Sequence, residues 1–144
     1  TEAKEDVPTA KAPNESVSPR KAKLLVVEDN PVNHKLLCHM LQRDYDVESA
    51  FDGREAVAKA FSSRYDVILM DIQMPVMDGL EATKALRTNG ITAPIIAVTA
   101  GIDQANQTGC FAAGMNDFLP KPITKNEVLT LIRKWLSNSP AKTL

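Results

Sequence analysis

The 144-residue chain carries 17 Lys and Arg against 18 Asp and Glu, a formal net charge of −1, with 5% aromatic residues. Single cores grow to roughly 250 residues before chains divide, so this length predicts one domain, and the balanced charge without a basic stripe argues against direct nucleic-acid binding. No signal-peptide h-region and no uninterrupted apolar stretch of spanning length occurs, so the expectation is a cytoplasmic domain without membrane contact.

Residues 1–22 mix Lys, Glu, Pro, Ser, Thr and Ala without apolar periodicity and read as a disordered linker, unable to bury enough surface to offset ordering entropy. Residues 137–144 read as a flexible tail, which leaves 23–136 as the folded body. Within it, apolar runs at 24–28, 46–50, 67–71, 95–98 and 116–119 predict strands that alternate with helical patterns. The first helix follows Asn30-Pro31, a cap and a first-turn proline, and shows Val32, Leu36, Leu37, Met40 and Leu41 as its apolar stripe. The second follows Asp52-Gly53 with Ala56, Val57, Ala60 and Phe61; the third follows Asp78-Gly79 with Leu80, Ala82, Ala85 and Leu86. The fourth, Asp103 to Ala113, is polar and interrupted by Gly109, which makes it the weakest element. The last presents Val128, Leu131, Ile132, Trp135 and Leu136.

Such alternation predicts an α/β fold, a flavodoxin-like doubly wound sheet of five parallel strands in order 2-1-3-4-5. Helices one and five then cover one face and the middle helices the other, which places Cys38 and Cys110 on opposite sides as reduced thiols. The ligand crevice of this fold lies beyond the carboxyl ends of strands one and three. Glu28-Asp29 ends the first of these runs and Asp71 the other, while Thr99 and Lys121 follow the fourth and fifth.

Three carboxylates in one pocket repel by roughly 4 kcal/mol per pair at about 4 Å with an effective dielectric near 20. A hard divalent cation with oxygen ligands offsets this, and Mg²⁺ suits a site that keeps waters and takes phosphate oxygens. The set fits phosphoryl transfer onto a carboxylate: Asp71 as nucleophile, Glu28 and Asp29 on the metal, Thr99 and Lys121 on phosphoryl oxygens. Each residue alone has a blander reading. Glu28-Asp29 can serve the dipole of the following helix, Thr99 can be an ordinary strand end, and Lys121 between two prolines can be a solvated loop charge. A charge ending the apolar Val67–Met70 run is harder to explain without a ligand. His34 and His39, about 140° apart on their helix, do not form a metal-facing stripe, and Met70, Met74 and Met77 read as packing.

Taken together, Val26-Val-Glu-Asp-Asn30, Met70-Asp-Ile-Gln-Met-Pro-Val-Met-Asp-Gly79, Ala97-Val-Thr-Ala100 and Phe118-Leu-Pro-Lys-Pro122 resemble a response-regulator receiver domain over about Lys23 to Leu136. The Glu28 to Asn33 opening, Leu80 to Thr83 and Pro120 to Ile123 are similar to receivers of hybrid sensor histidine kinases. The resemblance implies that Asp71 accepts phosphate from a phosphohistidine, on a histidine phosphotransfer protein or a kinase domain, in a Mg²⁺-dependent reaction, and that the domain is a monomeric switch. A parent kinase can be membrane-anchored. It further implies that the Gln73 backbone carbonyl joins the metal, that Gln73 and Ala100 border the phosphoryl group, and that Thr99 and Phe118 rearrange on phosphorylation. It also makes the Lys121-Pro122 bond cis. Phe118 stands where tyrosine is commoner and, lacking a hydroxyl, signals only by packing.

Two enzyme-like rivals fit less well. An aspartate-nucleophile phosphatase needs a second Asp two residues on as acid-base, where this chain has Gln73. A flavin carrier needs a Ser/Thr-rich phosphate loop after the first strand, where Glu28-Asp29 would repel phosphate. A stand-alone regulator, or a receiver-like module that is never phosphorylated, remains as the alternative.

Overall fold

The computed structural model describes residues 21–72, 77–99 and 104–137. The linker up to residue 20, the tail from 138, Gln73, Met74 and Ala100 lie outside these; Ser137, assigned by sequence to the tail, closes the last helix.

Among the described residues, ten elements alternate: β1 (Lys23–Val27), α1 (Pro31–Leu41), β2 (Asp46–Ala50), α2 (Gly53–Ser62), β3 (Val67–Asp71), α3 (Gly79–Thr88), β4 (Ile95–Thr99), α4 (Gln104–Ala113), β5 (Asp117–Pro120) and α5 (Lys125–Ser137). The strands form one parallel sheet in the order β2-β1-β3-β4-β5, the flavodoxin-like arrangement expected. Parallel strands covered on both faces read as continuous apolar runs, and every residue of β3 and β4 is buried.

Because strand side chains alternate, each central strand feeds two cores. Leu25, Val27, Ile68, Met70, Ile95 and Ala97 face one side with Ala56, Ala60, Ala82, Leu86 and Cys110. Leu24, Val26, Val67, Leu69, Ile96 and Val98 face the other with Leu37, Leu41, Val128 and Ile132. Helices α1 and α5 thus cover one face and α2, α3 and α4 the other. Each fully buried aliphatic side chain contributes roughly 1.5–3 kcal/mol. Both cysteines are free thiols, and burial raises the pKa of Cys110.

Local signals act as expected at three helix starts. Asn30 caps α1 by accepting from the Val32 and Asn33 amides, Asp52 caps α2 through Glu55, and Asp78 with Glu81 forms a reciprocal capping box on α3. Two expectations fail on the helix faces. Val32 and Leu36, assigned to the core stripe of α1, are 75% and 49% exposed, and Phe61 of α2 is 53% exposed. The buried face of α1 is His34, Leu37 and Leu41, an i, i+3, i+7 stripe whose first member is polar. The helix is thus rotated from its most apolar direction, with His34 turned inward.

Candidate active site

The strand order sets the pocket. Register pairs Val27 with Met70 and Asp71 with Val98, so the ends of β1, β3 and β4 stand level. Asp71 is the last residue of β3 and is 3% exposed; Thr99 is the last of β4 and 7% exposed; Glu28 follows β1 and is 1% exposed. Ligand atoms from the Glu28, Asp29 and Asp71 carboxylates all lie within 4.8 Å of one another.

Lys121 enters from the far side of the sheet. Its amide donates to the Thr99 carbonyl at 2.8 Å, extending the β4 to β5 ladder by one step, and its peptide bond to Pro122 is cis as the resemblance implied. Its ammonium reaches both buried acids, 3.4 Å from Glu28 Oε1 and 3.5 Å from Asp71 Oδ2. One cation against three carboxylates leaves net negative charge in a confined space. Glu28 Oε1, buried, has that ion pair but no hydrogen bond of proper geometry.

This donor set fits a hard divalent cation: three carboxylates converge, and one buried oxygen still lacks a hydrogen bond. Glu28, Asp29 and Asp71 are the residues able to hold it. Gln73, expected to add a backbone carbonyl, lies outside the described residues.

The surrounding chain fixes the acids closely. The Glu28 amide donates to Ala50 O at 3.1 Å, and Glu28 Oε2 accepts from the Asn30 amide at 3.1 Å. After Asp71, the Ile72 amide continues the sheet to Val98 O at 3.1 Å, and Ile72 O accepts from the Gly79 amide at 2.9 Å. A Cβ on Gly79 would collide with the Asp71 carbonyl oxygen, so glycine lets α3 begin directly against the end of β3. Phe118 is half-buried on β5, its ring meeting that of Phe111 edge-on with centroids 4.9 Å apart.

Sequence reasoning missed His34. Its ring is 5% exposed, bonds the Glu28 carbonyl through Nδ1 at 3.0 Å, and stacks on Phe51. The signal was its spacing to Leu37 and Leu41, outweighed by the greater apolarity of Val32 and Leu36.

Residues 24–133 match the family model described as the response regulator receiver domain. The chain belongs to this family. Among curated relatives of this receiver, two-component system protein A of Emericella nidulans is 40% identical over 127 residues, covering 83% of this chain and 18% of that protein. The osmosensing histidine protein kinase SLN1 of Saccharomyces cerevisiae is 38% identical over 138 residues, covering 90% of this chain and 11% of the kinase. The receiver thus spans less than a fifth of the length of these relatives. Among solved structures, the receiver domain of a Pseudomonas aeruginosa sensor histidine kinase is 42% identical with a TM-score of 0.76, covering 81% of this chain and 98% of that domain. In that structure a magnesium ion is coordinated in the active site cleft.

No helix among the described residues is long and apolar enough to cross a membrane.

Proposed function

We propose that this receiver accepts a phosphoryl group on Asp71 from a phosphohistidine, in a Mg²⁺-dependent reaction. The observation that carries the reading is the convergence of the Glu28, Asp29 and Asp71 carboxylates within 4.8 Å, with the Lys121 ammonium touching two of them. An Asp71 carboxylate oxygen attacks phosphorus while the phosphorus–nitrogen bond of the donor breaks, and the electron pair returns to the imidazole nitrogen. The product is an aspartyl acyl phosphate, with the protein positioning the group and balancing charge on its equatorial oxygens.

Each residue has one task. Glu28 and Asp29 hold the metal, directly or through water. Mg²⁺, when bound, neutralises charge shared by the acids and the phosphoryl oxygens. Lys121, already on the Asp71 oxygen at 3.5 Å, pairs with one phosphoryl oxygen, and the Thr99 hydroxyl donates to another. Thr99 shifting toward the phosphoryl group and Phe118 repacking against Phe111 carry the change to the β4, β5 and α4 surface. The Gln73 carbonyl completes the metal set in this reading.

The donor is a histidine phosphotransfer protein or the kinase portion of the same polypeptide. Origin in a hybrid histidine kinase is supported by the kinases among the relatives, of which a chain of this size covers a small part. A cytoplasmic setting accords with two free thiols.

Incubation with Mg²⁺ and acetyl phosphate or a phosphohistidine donor, followed by intact-mass measurement, tests the proposal. Wild type gains the mass of one phosphate and Asp71→Asn gains none. An Asp71→Asn protein labelled as fully as wild type, or a wild type that takes phosphate from neither donor, overturns it.

A further inference from the structure

We propose that His34 is a positioning residue for the acid pocket, fixing the peptide that joins Glu28 to Asp29 so that both carboxylates are set for a divalent cation. The inference rests on the reading of those two acids as cation ligands and adds a residue outside them.

Four observations meet at this ring. First, α1 buries it to 5% exposure while leaving Val32 at 75% and Leu36 at 49%, an inversion of the usual burial order. Positions where a local rule is broken tend to be functional. Second, the Glu28 carbonyl can only accept, so His34 donates through Nδ1 at 3.0 Å. That carbonyl and the Asp29 amide belong to one planar peptide unit, and holding one end sets the orientation of the link between the two acid-bearing Cα atoms.

Third, this bond completes a set. The Glu28 amide is held by Ala50 O and its Oε2 by the Asn30 amide, so with His34 on the carbonyl only Oε1 is left to face the pocket. The ring is itself held: Phe51 stacks on it with centroids 4.3 Å apart and planes at 21°, and the Phe51 amide donates to Glu55 Oε1 at 2.8 Å. Fourth, Nε2 is buried with no hydrogen-bond partner. An unsatisfied buried polar atom is costly, and a leucine filling the same space would carry none of that cost. Packing alone therefore does not account for a histidine here; the bond to Glu28 does.

The test compares wild type, His34→Leu, His34→Asn and Asp29→Asn by Mg²⁺ titration, followed through amide chemical shifts or calorimetry, alongside thermal unfolding without cation to establish that each is folded. Partners that orient metal ligands typically change affinity about 10–100-fold when removed. His34→Leu is expected to weaken Mg²⁺ binding about tenfold or more in the folded protein, and His34→Asn, whose amide nitrogen is attached at Cγ as Nδ1 is and can donate to the same carbonyl, to recover most of the affinity. Wild-type affinity in folded His34→Leu, or no recovery in His34→Asn, overturns the assignment while leaving the cation site intact. A wild type that binds no Mg²⁺, or an Asp29→Asn protein that binds it equally well, overturns the cation reading and this inference with it.

Discussion

The two ends of the sheet treat charge in opposite ways. At the carboxyl end, three acids crowd within 4.8 Å around one ammonium, and both Glu28 Oε1 and His34 Nε2 are buried without a hydrogen bond. At the amino end charged groups have hydrogen-bond partners. Lys23 pairs with Glu48 at 3.1 Å, its amide donates to Asp66 at 2.8 Å, and the Tyr65 hydroxyl donates to Glu48 at 2.6 Å. Arg87 donates to the carbonyls of Gly114, Ile91 and Ala93 and to Asn116 Oδ1. The same scaffold thus holds an end whose polar groups answer one another and an end with unbalanced charge that a ligand can complete.

The contrast predicts that mutations at the amino end change folding without touching the chemistry. Arg87 shows the largest effect. Its planar guanidinium joins the end of α3 to the turns before β4 and β5, and Asn116 Oδ1 also accepts from the Ile95 amide at 2.8 Å. Arg87→Ala leaves several acceptors without their donor and should cost about 3 kcal/mol in urea unfolding. Arg87→Lys should recover little, because a single ammonium cannot reproduce the fork. Phosphate uptake per folded molecule should match wild type; a loss of uptake in the still-folded fraction would mean that the two ends are coupled.

At the other end the sign reverses. Asp29→Asn removes one of three like charges while leaving the Lys121 contacts to Glu28 and Asp71 in place. Without cation, the variant should be more stable than wild type by on the order of 1 kcal/mol, a screened fraction of the repulsion at this distance. With saturating Mg²⁺ the order should invert, since only wild type gains the stabilisation of binding. Chemical unfolding of both proteins with and without Mg²⁺ measures it. An Asp29→Asn protein less stable than wild type in the absence of metal would show that the pocket is not strained by its own charge.

The same division governs what the sequence made legible. The sheet order and the pocket could be read because both rest on coarse signals: apolar runs of strand length, and carboxylates where such runs stop, as at Met70-Asp71 and Val27-Glu28. Helix starts were equally plain, since Asn30, Asp52 and Asp78 cap through their own side chains. The faces of the helices were not. For α1, apolarity favours turning Val32 and Leu36 inward, but the helix turns His34 inward instead, where its ring bonds the Glu28 carbonyl. That bond joins a side chain to a backbone atom six residues away, and no periodicity records it. Arg87 was hidden for the same reason, since three of its four acceptors are backbone carbonyls brought near only by the fold.

Tyr65 gives the smallest effect and the sharpest pH signature. Burial, then its bond to Glu48, raises the Tyr65 pKa above the usual tyrosine range, while that bond is the largest cause lowering the Glu48 carboxyl. For Tyr65, raised in the folded state, the contribution is complete below about pH 10 and is lost as pH climbs toward the folded value. For Glu48, lowered in the folded state, the contribution is present above roughly pH 4.3 and is lost as pH falls through its depressed value, a weak effect because this carboxylate is well solvated. Tyr65→Phe should therefore cost about 1 kcal/mol on a plateau between roughly pH 5 and 9, with the penalty shrinking on both sides and more steeply on the alkaline one. Unfolding free energies of both proteins across pH measure the difference. A penalty constant at every pH would assign the loss to packing of the ring instead of its hydroxyl, and a change in Mg²⁺ affinity would erase the separation between the two ends of the sheet.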